Sequence, residues 1–147
     1  MCIFKKPVID PDLQDPNLDS PIGATELWWI IYGALDGMGD KEIYLSDGNK
    51  FLCHYDDIAL FLAQDQTNRY SFVSEAFDCD DFAYRLMGQF SIPKWASLCK
   101  GIVWTDKHAL NCIVDEDKKF WFVEPQNDEI IDKLKSWMGS RIRFVIM

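Results

Sequence analysis

The segment Gly101–Glu124, GIVWTDKHALNCIVDEDKKFWFVE, carries the reading of the fold. Its runs Gly101–Thr105, His108–Val114 and Phe120–Glu124 are rich in Ile, Val, Phe and Trp, and polar turn residues separate them, as in strands joined by hairpins. Asp115-Glu116-Asp117-Lys118 is the clearest of these turns, and Arg141–Met147 adds one more strand-like run. Residues on one face of an antiparallel pair have position sums of a single parity. A tight turn centred between Glu116 and Asp117 therefore sends His108 and Glu124 to opposite faces. An odd-length loop or a bulge brings them to the same face.

Upstream, the apolar period lengthens to that of a helix. Ala24–Leu35, with Trp28, Trp29, Ile30 and Ile31, is apolar on more than one side and is expected as a buried helix stopped by Gly37 and Gly39. Asp56–Gln64 holds Ile58, Ala59, Phe61 and Leu62 at helical spacing. In Phe77–Met87, FDCDDFAYRLM, residues Phe82, Leu86 and Met87 share one face and Asp78 is a good N-cap. Asp128–Met138 reads as another helix, with Ile130, Ile131, Leu134 and Trp137 on one face and Gly139 as its stop. Residues 7–23 hold four prolines and four aspartates, which excludes a helix or a central strand. The expectation is one α+β domain over 1–147: an extended arm at 1–23, a mainly helical part at 24–100 and a mainly antiparallel sheet at 101–147.

The chain has 147 residues, 48% of them apolar and 27% charged, which is globular composition. Its 15 basic and 24 acidic residues leave a net charge of −9. Such a surface repels phosphate backbones and anionic lipid, so neither nucleic acid nor a membrane is an expected partner. The apolar runs are far shorter than the ~20 residues of a membrane helix. The apolar stretch within Met1–Ile9 is too short for a signal peptide, which makes the cytoplasm, or that of an infected host, the expected location. Cys2, Cys53, Cys79, Cys99 and Cys112 are odd in number and form no C-x-x-C pair, so they read as thiols, most of them buried. Cys53-His54 with Cys99 or Cys112 lacks the closing pair of a zinc site. Asp78, Asp80 and Asp81 lack the glycine and terminal glutamate of a calcium loop. No metal and no cofactor are expected.

The chain contains two histidines, His54 and His108. His108 opens a strand-like run 29 residues after Cys79, and Glu124 follows 16 residues later. Thiol chemistry needs a nucleophile, an imidazole to move the proton and a third group to fix the ring's tautomer. At the first turn of a helix, free amides and the dipole favour a thiolate at Cys79. Asp78, Asp80 and Asp81 oppose it by charge repulsion, so His108 must stand close by.

Asp78-Cys79-Asp80-Asp81-Phe82-Ala83 resembles the nucleophile motif of transglutaminase-like cysteine proteinases. His108-Ala109 followed by Phe120–Gln126, FWFVEPQ, resembles the histidine and acid strands of the papain-like superfamily. The resemblance covers Phe77 to Gln126. It implies a nucleophile helix packed on an antiparallel sheet, with Cys79 as nucleophile, His108 as general base and Glu124 as orienter. It further implies an acyl-transfer enzyme that hydrolyses a peptide or amide bond of a peptide or protein substrate through a thioester. Aspartate or asparagine is commoner than glutamate at the third position. No upstream motif matches the glutamine of the oxyanion hole, for which Gln64 and Gln66 qualify by residue type alone. Two other readings stand beside this one. One is a non-catalytic protein- or glycan-binding module of the same fold, whose exposed tryptophans stack on sugar rings. The other is a small viral inhibitor of a host factor. Glu124 could equally pair with Arg141 or Arg143.

Overall fold

The computed structural model describes residues 13–147. Cys2 and the first half of the expected arm lie outside the described residues. A six-stranded sheet, in the order β2-β8-β4-β5-β6-β7, forms the body of the molecule. Its strands are β2 (Glu42–Tyr44), β4 (Lys100–Thr105), β5 (Ala109–Val114), β6 (Phe120–Glu124), β7 (Glu129–Ile131) and β8 (Ile142–Ile146). A separate two-stranded ribbon joins β1 (Pro21–Gly23) to β3 (Asn49–Phe51). Pro21 takes the first position of β1, where its missing N–H costs no ladder bond.

The expected papain- or transglutaminase-like plan, a nucleophile helix on an antiparallel sheet, is corrected on two counts. The sheet is mixed, because β2 runs parallel to β8 at its edge. Helices are few and short: α1 (Ala24–Ala34), α2 (Tyr55–Gln64) and α3 (Cys79–Phe90). No helix among the described residues is long and apolar enough to cross a membrane.

Each helix follows from its buried stripe. In α1, Leu27 and Ile31 point inward and Leu35 continues the row, while Trp29 and Tyr32 stay exposed. Ile58, Phe61 and Leu62 seat α2, and Phe61 stacks on Phe90 of α3 with ring centroids 4.0 Å apart. Asp78 caps α3, its own N–H donating to the Asp81 carboxylate at 3.2 Å. Ala83 of α3 then packs on Ile102 of β4 and Ala109 of β5. Gly101 lets β4 approach β8, since a Cβ there would lie 2.2 Å from the Ile146 carbonyl oxygen.

The expected helix over Asp128–Met138 is not formed. Asp128 takes a left-handed backbone (φ 61°) and its N–H bonds the Glu124 carbonyl, which turns the chain back as β7 along β6. Only a short 3₁₀ turn, Ser136–Met138, follows, and Trp137 is exposed rather than inward. Five apolar residues in eleven fit a strand plus a turn as well as a helix, so periodicity alone misread this run.

Candidate functional site

The β5–β6 hairpin decides which side chains meet. Val114 pairs with Phe120, and the loop Glu116–Lys118 has three residues, with Lys118 left-handed at φ 62°. Asp115 organises the loop: its Oδ1 accepts the N–H groups of Asp117 (3.0 Å) and Lys119 (2.8 Å), and its Oδ2 accepts the Trp121 indole N–H (2.6 Å). The loop is odd in length, which puts His108 and Glu124 on one face.

His108 Nε2 lies 2.6 Å from Glu124 Oε2, and the two residues are only 7% and 1% exposed. Glu124 Oε1 accepts the Gln126 N–H at 3.1 Å, so both carboxylate oxygens are held. Arg141 and Arg143 make no salt bridge to Glu124 among the described residues. The Trp137 ring stands edge-on to the imidazole, 4.8 Å between centroids, and covers the pair. Thr105 holds this corner together. Its Oγ1 accepts the His108 N–H (2.9 Å) and the Lys107 N–H (3.0 Å) and donates to the Met138 carbonyl (2.6 Å). Gly139 is obligatory beside it: φ is 95° and a Cβ would lie 2.4 Å from Asp106 Oδ1.

Cys79, half-buried, is the first residue of α3. The Ala109 N–H, from the residue after His108, faces the sulfur, and no hydrogen bond joins the sulfur to the imidazole among the described residues. Burial pushes the thiol above its ordinary range. The Ala109 N–H lowers it, and the charges of Asp78 and Asp80 raise it again. Asp78 and Asp80 share a hydrogen bond that holds Asp78 low and Asp80 high. Desolvation and two acidic neighbours thus oppose the helix-tip amides at Cys79. The structure joins His108 to Glu124 and brings Cys79 to the adjoining backbone, as a protonated thiol at neutral pH.

The remaining candidates lie elsewhere. Gln64 ends α2 and Gln66 is exposed beyond it, and neither hydrogen-bonds the site among the described residues. Cys53, Cys99 and Cys112 are buried, with their thiols pushed upward by burial, Cys99 to about 12. The Cys53 S–H donates to the Cys99 carbonyl at 3.2 Å, while His54 points outward to Asp19 at 2.7 Å, so no zinc set forms there. Thr105 and Trp137 were missed from sequence, because one looked like a strand end and the other like the face of a helix.

A second surface stands out on α1. Trp28, Trp29, Thr25 and Ala24 line an open hollow of about 350 Å³, with Ile43 and Leu45 of the β2 segment as its far wall. Trp29 is 63% exposed, Trp28 stacks on Tyr32 at 4.9 Å, and the Lys41 ammonium sits 4.8 Å from the Tyr32 ring.

No family model matches the chain, and no curated protein matches it. Its fold is similar to that of two solved structures. One is titled "PSL1a-E64 complex", with 24% identity and a TM-score of 0.71 over 86% of this chain. The other is the lectin of Polyporus squamosus bound to the human-type influenza-binding epitope Neu5Acα2-6Galβ1-4GlcNAc, with 24% identity and a TM-score of 0.60 over 81% of this chain. The chain spans about half the length of each, 50% and 48%. The resemblance drawn from DCDDFA, HA and EPQ to papain-like and transglutaminase-like cysteine proteinases is thereby corrected, and with it the thiol hydrolase acting on a peptide. At this level of identity the likeness shows the fold, which is shared with structures of a lectin.

Proposed function

We propose that the chain is a glycan-binding module whose saccharide stacks on the aromatic shelf of α1. The carrying observation is the row Trp28, Trp29 and Tyr32, three aromatic side chains side by side beside an open hollow. The C–H faces of a sugar ring carry partial positive charge and suit the negative faces of indole and phenol rings. Exposed tryptophan at a concave surface is costly unless something covers it, and a polar rim completes a saccharide site by bonding hydroxyls. In sequence, Glu26, Asp40 and Glu42 neighbour the lining residues against Lys41. That acidic bias, on a chain of net charge −9, favours a neutral saccharide over a sialylated one.

Calorimetric titration of the full chain with Galβ1-4GlcNAc and with Neu5Acα2-6Galβ1-4GlcNAc tests this. The neutral disaccharide should bind more tightly, and Trp29→Ala should weaken it at least tenfold. Absence of binding, or binding indifferent to Trp29→Ala, would overturn the proposal.

The corner at Cys79 supports a second reading, as a ligand site with no turnover implied. The half-buried thiol lies beside the His108–Glu124 pair, and E64 is the compound named with PSL1a. We infer that E64 lodges at Cys79, with the buried His108–Glu124 pair behind it. Intact-mass or calorimetric detection of E64 on the wild-type chain, lost in Cys79→Ala, is the expected result. Equal retention by both proteins would exclude it.

A further inference from the structure

Lysine is almost never fully buried unless it is paired, yet two lysines lie inside this fold where β3 meets the start of β4. Lys50, in the middle of β3, and Lys100, the first residue of β4, are each only 5% exposed. Backbone contacts draw the two segments together: the Cys99 N–H donates to the Phe51 carbonyl at 2.7 Å, and Phe51 bridges Leu98. Lys50 is paired, its Nζ donating to Asp47 Oδ2 at 3.1 Å. Lys100 has no carboxylate within salt-bridge reach among the described residues. Its hydrogen bond to the Ala96 carbonyl is stretched to 3.5 Å, and the Phe90 ring centroid lies 5.9 Å from its Nζ.

Two buried amines therefore share one carboxylate, and that carboxylate, Asp47, is itself 64% exposed. The neighbouring Cys53 and Cys99 bring no counter-charge, since burial keeps both thiols protonated, Cys99 pushed up to about 12. Burial disfavours the charged form of a lysine, and a second cation nearby does the same. Both act on Lys100: burial, and then the Lys50 charge, bring it down to about 8, while Asp47 and the two thiols act the other way. At pH 7 roughly a tenth of Lys100 is then a free amine, against less than about a thousandth of an ordinary lysine. A desolvated amine beside another cation is the setting in which lysine becomes a nucleophile.

We propose that Lys100 is a carbon dioxide site, its amine forming a carbamate that the buried Lys50 holds as an ion pair. The Nζ lone pair attacks the carbon of carbon dioxide, a C–N bond forms, and one C=O electron pair moves onto oxygen. One proton then leaves the nitrogen for solvent. Lys–NH2 and CO2 thus give Lys–NH–COO− and H+, with no oxidant and no second substrate. The product removes the conflict of charge: where two cations repelled each other, the Lys50 ammonium faces a carboxylate. Size favours this electrophile, because a triatomic molecule reaches a side chain 5% exposed where a phosphate or a sugar acid does not. The new ion pair would tie β3 to the start of β4 and make the stability of the fold respond to dissolved carbon dioxide. The site shares no residue with the α1 shelf or the Cys79 corner, so it stands independently of glycan binding.

The test equilibrates the full chain at pH 8 under a fixed pressure of carbon-13-labelled carbon dioxide. Triethyloxonium then traps any carbamate as its ethyl ester, and peptide mass mapping locates it. One trapped group is expected, on Lys100, with occupancy at least tenfold lower at pH 6, and a thermal midpoint higher under carbon dioxide than under nitrogen at the same pH. Lys100→Met should abolish both the trapped group and the midpoint shift. Lys50→Met should lower occupancy at least tenfold, because it removes the cation that opposes the carbamate. The proposal is overturned if nothing is trapped on Lys100, if exposed Lys94 is trapped equally, or if Lys50→Met leaves occupancy unchanged. A midpoint raised by inorganic phosphate, with nothing trapped, would also overturn it by marking the pair as an anion site. The wild-type map decides even where a variant does not fold.

Discussion

The tip of α3 and the outer face of α1 are both helix surfaces, yet they are opposite in kind. At the tip of α3 the polar groups satisfy one another, His108 by Glu124 and Glu124 by Gln126, and the Ala109 N–H faces the Cys79 sulfur. Trp137 covers the pair, and little hydrogen-bonding capacity faces outward. On α1, Trp29 and Tyr32 stand exposed around an open hollow with no such closure. Chemically suggestive residues therefore mark a corner that holds itself together. The plainer aromatic row marks the surface that lacks a partner, and unmet apolar area is the stronger sign of binding.

Four measurements would break or sharpen this contrast. The largest effect is expected at Glu124. Glu124→Ala leaves a buried imidazole without its carboxylate and should cost about 3–5 kcal/mol in urea unfolding. Cys79→Ala should cost only about 1 kcal/mol, since the side chain is half-exposed. Equal costs would erase the distinction between a structural pair and a peripheral thiol.

The second effect is on labelling of Cys79 by an alkylating probe. Its thiol is raised above the ordinary range, so the thiolate fraction at pH 7 is small and the rate should climb about tenfold per pH unit toward pH 9. His108→Ala should leave that climb intact. A rate already flat near neutral pH and abolished in His108→Ala would show an imidazole-activated thiol and reverse the reading of the α3 tip.

Third, Trp29→Ala should change stability by less than about 0.5 kcal/mol, because it removes an exposed side chain. A cost of several kcal/mol would recast the shelf as core.

The smallest effect concerns the arm, where His54 bonds Asp19. Their hydrogen bond raises His54 and lowers Asp19. A raised histidine contributes fully below its unfolded value and loses its effect as pH rises through the folded one. A lowered aspartate contributes above its unfolded value and loses its effect as pH falls through the folded one. The clamp should thus be strongest between about pH 4 and 6.5. Limited proteolysis near Asp19 should be slowest in that window and should lose its pH dependence in His54→Gln. A flat profile in the wild type would show that this contact does not hold the arm.

Much of the local structure was legible because it depends on near neighbours. Asp78 as a cap, the apolar stripes of α2 and α3 and the runs that became β4, β5, β6 and β8 all follow from spacing within a few residues. Parity stated the condition that places Glu124 beside His108, and the three-residue loop Glu116–Lys118 meets it. The Asp128–Met138 run was misread because a left-handed Asp128 reverses the chain, a choice its apolar pattern does not encode. The parallel entry of β2 beside β8 joins residues about a hundred positions apart, which no local pattern reports.

The sequence by itself determined the stripes of α1 to α3 and the runs that became β4, β5, β6 and β8, that His108 and Glu124 could share a face, and that the surface is acidic. Those properties follow from side-chain period, caps and charge, each read over a few residues. Only the tertiary structure decided that Leu27 and Ile31 face inward while Trp29 faces out, that the Ala109 N–H faces the Cys79 sulfur, and that Asp65 and Asp128 confront each other. Those outcomes depend on which distant surfaces pack together and how much water they exclude, and burial of that kind is a property of the assembled fold.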